Sequence, residues 1–525
     1  MADASAAAAE EPKGDLRAWV AVIAGTIGAA MVTLDTSIVT SSLPQVQGEI
    51  GATISEGTWI MTGYLAAEIV VIPMSAWLTR LMGLRRLLIG AVVSFVAFSL
   101  LCALSTNLTQ MIAFRIGQGL TGAALIPSAQ TIILTVLPRS KQLTGFALFT
   151  TGAMITPSLG PVIGGWITDH LGWQYLFVLN LPIGAGLILG LMATLDGAPA
   201  RMEELRNADW VGLFMMTVSL ACLTVILEEG QREAWFDSDL ITRLTAISVV
   251  SFAVLIWVER RHRNPVVRLS LLKDRSFSAS LLISAIFGAI LYFGVFFGPA
   301  FLGTIAHYTS EQVGIAMLSI NGASMVFTPF AARIQSILGS RTTIAIGLAL
   351  LATGCLMNID ITALSAGDEL FWPQVVRGIG LAVVFIPLSQ VATAGISIEN
   401  AADASGLFNM VRNLGGSVGL ALTAVILDRR SVFHAQMISE RLDGNSRRLW
   451  DYIHGMGSTL GQGAADTAHR DMQMIAALHG RIVEQGLVMA YADSLFVFGV
   501  ALFLCMGTVL LLRRPEPAAG VSMAH

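Results

Sequence analysis

Lysine is almost missing from this chain. Lys13, Lys141 and Lys273 are the only three in 525 residues, and none follows a glycine. No GxxxxGK[ST] loop therefore exists, and the chain holds no P-loop for ATP. Charge of either sign is scarce. Charged residues make up 13% of the sequence, where a soluble domain carries about 25%. A net charge of −4 offers nothing to a nucleic acid. The four cysteines, Cys102, Cys222, Cys355 and Cys505, all lie in apolar stretches, so no disulfide framework is expected. No HExxH or CxxC spacing occurs, and His434, His454, His469 and His479 are scattered without ligand spacing. They are expected at the surface, with no metal and no cofactor. Nothing resembles a clustered catalytic His/Asp constellation, so the chain is not expected to be an enzyme. Its energy must come from an ion gradient or from another subunit. The start, MADASAAAAEEPKGDLRAW, has no basic lead into a short apolar core and reads as a cytoplasmic tail rather than a cleaved signal.

What the chain has instead is hydrocarbon. A bilayer core ~30 Å thick needs ~20 mostly apolar residues per helical crossing. Stretches of that kind lie at 17–41, 58–78, 87–104, 109–136, 145–168, 174–195, 209–227, 240–258, 278–303, 312–337, 342–359, 370–396, 404–427 and 491–512. The expected fold is an all-α membrane protein with fourteen transmembrane helices. Lys and Arg mark cytoplasmic loops. They follow spans 2, 4, 6, 8, 10 and 14, as in Arg80, Arg85 and Arg86, Arg139 and Lys141, or Arg513 and Arg514. Loops 42–57, 105–108, 169–173, 304–311 and 360–369 contain neither. Both termini are therefore expected in the cytoplasm, with the long loop 428–490 outside.

The two ends of the chain repeat one another. TRLMGLRR (79–86) matches QSILGSR (335–341), and RIGQGLTGAALIPSAQ (115–130) matches RGIGLAVVFIPLSQ (377–390). Both offsets are about 260 residues. The organisation expected is a tail at 1–16, a six-helix bundle at 17–195, two inserted helices with linkers at 196–277, a second six-helix bundle at 278–512, and a tail at 513–525. Two bundles in parallel repeat suggest alternating access, one rocking against the other.

At these residues the chain resembles the major facilitator superfamily, and more narrowly its fourteen-span drug:proton antiporters, the EmrB/QacA group. LDTSIVTSSLPQV (34–46), RIGQGLTGAALIP (115–127), GAMITPSLGPVIGGW (152–166) and ASGLFNMVRNLGGSVG (404–419) are similar to motifs of spans 1, 4, 5 and 13. The resemblance implies that Gly152, Pro157, Gly160, Pro161, Gly164 and Gly165 form the antiporter motif, which seals the path. It implies a gating loop at Gly83, Arg85 and Arg86, a place in a bacterial inner membrane, and export of drugs. GLVMAYADSLF (486–496), before span 14, is typical of the EmrB branch. There the partners are a periplasmic adaptor protein and an outer-membrane channel. One departure stands out. The family's loop after span 2 carries Gly and Asp where this chain has Ala76 and Arg80, which leaves its usual latch between bundles open to question.

Ionisable groups inside a bilayer cost at least ~2.5–3.5 kcal/mol each and need a reason. Asp35 and Arg115 each lie ~9 Å inside the outer surface, from opposite chain directions. They are expected to face one another, as a proton-coupling pair or as a permanent ion pair that fixes packing. Glu68 lies ~15 Å deep, with no neighbouring positive charge in YLAAEIVVIP (64–73). It could carry a coupling proton, attract a cation, or be a protonated group bonded to the next helix. Arg377 repeats Arg115, but span 9 has no carboxylate to match Asp35. Asn409 and Arg412 share a helix face and could bind a cargo carbonyl or anion, or cap broken backbone. Gln118, Phe293, Phe297 and Met325 complete the candidate pathway, although packing or lipid contact explains such aromatic residues and methionines equally well. The expected partners are a small hydrophobic or amphipathic cargo, protons and the bilayer. The function expected is proton-coupled export of many compounds. Export of a single metabolite or acid is the nearest alternative, ahead of a sensor that has lost transport.

Overall fold

The computed structural model describes residues 15–197, 201–206, 208–261, 268–394, 396–397, 400–442, 447 and 467–513. Both expected tails, apart from a few residues, and also His454, lie outside the described residues. Among the described residues the regular structure is helical throughout. The first half comprises α1 (Leu16–Ile50), α2 (Ile54–Gly57), α3 (Trp59–Met82), α4 (Leu84–Ala103), α5 (Leu108–Gly122) and α6 (Leu125–Val136). It continues with α7 (Arg139–His170), α8 (Gln174–Val178) and α9 (Asn180–Thr194). The middle holds α10 (Met202–Arg206), α11 (Trp210–Glu229) and α12 (Asp239–Glu259). The second half comprises α13 (Arg275–Thr304), α14 (Ser310–Leu338), α15 (Ser340–Leu356), α16 (Gly367–Ala394), α17 (Ala401–Arg441) and α18 (Thr467–Met506).

Polar residues set the helix starts. Asp15 caps α1, Asn107 caps α5 and Asp209 caps α11, each accepting from a backbone N–H three residues on. Thr53–Glu56 and Thr309–Gln312 close reciprocal capping boxes. Gly83 and Gly339, the paired glycines of the repeat, both have φ near 78° and divide α3 from α4 and α14 from α15. A side chain at either would be strained there. The inner repeat is thus a repeat of backbone geometry as well as of letters.

Among the described residues, twelve helices are long and apolar enough to span a membrane. The segments Ser140–Pro157 and Val162–His170, bent by 44° to one another, make a thirteenth if taken together. The fourteenth expected crossing falls on α15, only 17 residues long. Against the expected fourteen, the described residues give twelve candidates, or up to thirteen, for two physical reasons. Pro161 removes a backbone donor from span 5 and the helix bends there, and α15 ends at Leu356, short of the expected 359.

At both its ends the expected outer loop 428–490 is helix. α17 runs unbroken for 41 residues and α18 for 40, ~60 Å each, twice the hydrocarbon thickness. FHAQMISER (433–441) and DMQMIAALHGRIVEQ (471–485), whose apolar residues recur at near helical spacing, are continuations of the spans themselves. Gly486 fits against the backbone of Ser431 and Ala435, where a Cβ would crowd. Asp493 accepts from Arg430 at 2.5 Å and pairs with His434 at 2.7 Å. His434 is buried, contrary to the surface position expected of it, whereas His479 is exposed.

Helices of each half pack mainly on one another, α1 on α6, α7 and α9, α13 on α17, and α16 on α14 and α15. The halves meet where α3 and α6 touch α17, and where α7 touches α14. α11 lies against both α3 and α17, so the middle helices cover a flank of that seam.

Candidate functional site

Three polar assemblies break the apolar interior. The first lies within the N-terminal half. Arg115 of α5 donates to the Asp35 carboxylate of α1 at 2.6 Å, and both side chains are sealed from solvent. Asp35 also accepts from Gln118 at 2.9 Å and from Asn180 of α9 at 2.7 Å. Gln118 in turn accepts from Arg115 at 2.6 Å. Asn180 reaches on to Ser99, whose hydroxyl donates to the carbonyl of Phe177. The guanidinium lies 4.1 Å from the centre of the Tyr64 ring, within cation–π range. Depth counting along the two spans brings Asp35 and Arg115 together as read. Gln118 stands inside this network and not on an open pathway.

The second assembly crosses the seam. Along one face of α17, at i, i+4 and i+8, stand Asn409, Asn413 and Ser417, all buried. Each meets a different helix. Asn409 donates to Gln130 of α6 at 2.7 Å, Asn413 to Glu68 of α3 at 3.4 Å, and Ser417 to Glu228 of α11 at 2.9 Å. Glu68 is buried and one helical turn from Tyr64, so one tyrosine lies between the two acidic sites. Arg412 lies 5.5 Å from the Phe385 ring and 3.4 Å from the Asn413 amide oxygen. Backbone capping at Gly415 and Gly416 is not its role, because α17 is continuous there. Those glycines instead admit α13. A Cβ at Gly415 would overlap the Ala285 carbonyl, and one at Gly416 the Tyr292 ring.

The third assembly is a clamp at the end of α3. Arg80 donates to both carboxylate oxygens of Asp403, at 2.8 Å each. Arg268 approaches the same carboxylate at 3.3 Å and also bonds Asn400. Arg80 is in the last turn of α3 and Asp403 in the first turn of α17, where each complements its helix dipole. Arg80, read as a departure from the family's pattern, thus ties the two halves together. Of the expected gating loop, Gly83 shapes the turn, while Arg85 and Arg86 line a shallow cleft with Ile89, Gly90 and Gly197.

The glycine-proline segment of α7 is fitted to α1. Pro161 leaves the Pro157 carbonyl without its helical donor, and the Ser37 hydroxyl donates to it at 2.9 Å. A Cβ at Gly160 would overlap Ser37, one at Gly164 would come 3.1 Å from the Ile38 carbonyl, and one at Gly152 2.7 Å from Thr26. Gly165 faces open space. The motif therefore packs onto the helix that carries Asp35. Phe293 and Phe297 are fully buried against Tyr491 and Phe498 inside the C-terminal half, and Met325 of α14 is exposed. The structure holds both phenylalanines away from the seam.

Sequence reasoning missed Glu228 and Glu229. Glu229 is 1% exposed and binds Thr62 at 2.6 Å and Arg232 at 2.7 Å. It also missed Asn180 and Asp403. Asn413 and Ser417 carry a usable signal, the four-residue spacing from Asn409. Asp403 carries none, since its partner Arg80 lies far away in sequence; Glu229 offers locally only Arg232, three residues on, while Thr62 lies far away.

Residues 25–420 match the family model described as Major Facilitator Superfamily. The multidrug export protein EmrB of Escherichia coli is 29% identical over 517 residues, covering 97% of this chain and 98% of that protein. The colistin resistance protein EmrB of Acinetobacter baumannii is 29% identical, covering 95% and 96%. The fatty acid resistance protein FarB of Neisseria gonorrhoeae is 28% identical, covering 97% and 98%. Among solved structures, the human organic anion transporter MFSD10 superposes with a TM-score of 0.61 at 14% identity, covering 94% of this chain and 99% of that one. That likeness speaks for the fold. With the family model spanning most of its length, the chain belongs to the major facilitator superfamily.

Proposed function

We propose that this protein is a proton-coupled exporter of small hydrophobic and amphipathic compounds, working by alternating access. Glu68 carries the reading. It is a buried carboxylate on a helix of one half, hydrogen-bonded across the seam to a neutral amide of the other. When the halves tilt, that bond breaks and the acid changes surroundings. A carboxylate whose environment alternates can take a proton on one side and release it on the other. Asp35 and Arg115 form the partner site in the N-terminal half, and Tyr64 lies between the two. The glycine-proline segment of α7 seals the half that holds them. The Arg80–Asp403–Arg268 clamp closes the cytoplasmic side and must open for cargo to enter.

The relatives named as multidrug export proteins support a broad apolar cargo. Their near-full-length match supports a bacterial inner-membrane location with both termini in the cytoplasm. It also supports fourteen crossings, with α15 and the bent α7 counted, arranged as two six-helix bundles and an inserted pair. The projecting ends of α17 and α18 would dock a periplasmic adaptor that leads to an outer-membrane channel.

The test is proton release on cargo addition by purified protein, together with cargo uptake by inverted vesicles under an imposed pH gradient. Wild type should do both, and Glu68→Gln and Asp35→Asn neither. Normal proton release by both variants would refute the coupling assignment.

A further inference from the structure

Arg377 repeats Arg115 without its partner. It is 1% exposed, and its Nε and Nη1 find no hydrogen-bond acceptor. One turn earlier on α16, Gln374 is also 1% exposed, and neither atom of its amide has a partner. Nδ2 of Asn358, just beyond α15, is buried and unpartnered as well. Where α1 presents Asp35, about 260 residues earlier in the repeat, α13 presents Gly294. The guanidinium lies against that glycine, so close that a Cβ there would come 2.7 Å from Nη2. Phe293 and Phe297 each present a ring 5.8 Å from the guanidinium carbon. Aromatic faces attract a cation, but they leave the in-plane N–H groups without acceptors. A buried guanidinium lacking both counter-charge and acceptors is strongly disfavoured, and a bound anion supplies both at once.

We propose that Arg377 and Gln374 form a binding site for one monovalent anionic group, either a free halide or the carboxylate of a cargo molecule. Arg377 supplies the charge and a planar fork of donors, and the Gln374 amide nitrogen supplies a further donor. Gly294, by withholding the carboxylate that Asp35 provides in the other half, leaves the position for a mobile anion. The free-halide form stands apart from the export reading; only the cargo form rests on it.

The test uses the full-length protein purified in detergent. Unfolding is followed by intrinsic fluorescence while sodium chloride replaces sodium methanesulfonate at constant ionic strength and pH. Wild type should show a saturable midpoint rise of roughly 3–6 °C, and Arg377→Gln none. Gly294→Asp should lose the chloride response because it carries its own anion, and its midpoint in methanesulfonate should be no lower than that of wild type. Decanoate, set against the uncharged 1-decanol, separates the two sources. Competition with chloride by decanoate alone assigns the site to a cargo carboxylate, and a chloride response that decanoate leaves untouched assigns it to free halide. A wild-type midpoint indifferent to both anions overturns the proposal, as does a rise that survives Arg377→Gln. Should Arg377→Gln fail to fold, a chloride response retained by Gly294→Asp overturns it equally. Proton-driven efflux of a neutral dye keeps the two readings separate. A protein that exports the dye yet ignores both anions retains the function and lacks the site.

Discussion

Arg115 and Arg377 stand at matching places in the two halves, equally buried, in opposite circumstances. Arg115 has a carboxylate, an amide and an aromatic face around it, and its acid is shared with that same amide and with one more, Asn180. Arg377 has two aromatic faces and unfilled donors. The repeat preserved the cation and changed its company. The lesson is one of division of labour. A network whose charge balances internally can store and tune a proton, whereas a cation left open must recruit its balance from outside.

The sharpest way to break this contrast is to make the first half resemble the second. Asp35→Asn leaves Arg115 buried without its anion, at a cost of about 3–5 kcal/mol. Export under a pH gradient should vanish, and the unfolding midpoint should fall. Adding Arg115→Gln to that variant should restore much of the stability but no transport. Recovery of both, measured in the same vesicles, would reduce the pair to a packing device. Next in size, Glu68→Gln keeps the amide-sized shape and the bond to α17. Its midpoint should stay within roughly 2 °C of wild type, while cargo-linked proton release is lost. A large drop in stability with coupling intact would reverse the roles given to Glu68 and Asp35.

The clamp gives a smaller effect. Arg80→Ala or Asp403→Ala should slow export several-fold and expose the cytoplasmic end of α17 to water-borne cysteine labelling at an introduced Ser405→Cys. The exchange Arg80→Asp with Asp403→Arg should recover part of the rate, less than all, because Arg268 would then face a like charge. Equal labelling in wild type and single variants would remove the clamp from the cycle. Smallest of all, His434→Ala takes one partner from Asp493, which keeps Arg430. A partly exposed pair of this kind is worth about 1 kcal/mol or less, so drug efflux by the protein alone should be unchanged. A loss confined to intact cells would point to docking of an adaptor on this hairpin.

Much of this was legible in the letters. Depth counting along two antiparallel spans was enough to bring Asp35 to Arg115, since helix rise is fixed and apolar runs mark where a span begins. Gly83 and Gly339 announced a shared turn that both adopt. Other features were out of reach. Arg80 stood out as a reversal of sign, but nothing local to it points to Asp403, because their pairing depends on how the halves close. Glu228 and Glu229 sit at the end of an apolar helix, where a polar residue reads as the start of a loop, and only the packing of α11 on α3 and α17 turns them inward. Hydropathy located α7 and α15, and Pro157 and Pro161 announced the bend in one, but nothing marked the shortness of the other. It also marked 428–490 as a loop, since a helix continuing into water loses the apolar signal while keeping its backbone.

α17 holds the clamp in its first turn, the three seam rungs in its middle and the Arg430–His434 contacts toward its far end. As a single stiff rod ~60 Å long, it converts angle into distance. A swing of about 10° where Asp403 lets go would sweep the opposite tip through roughly 10 Å. Release of the clamp at one end would then be felt at the other as a lever stroke, without any signal passing from residue to residue.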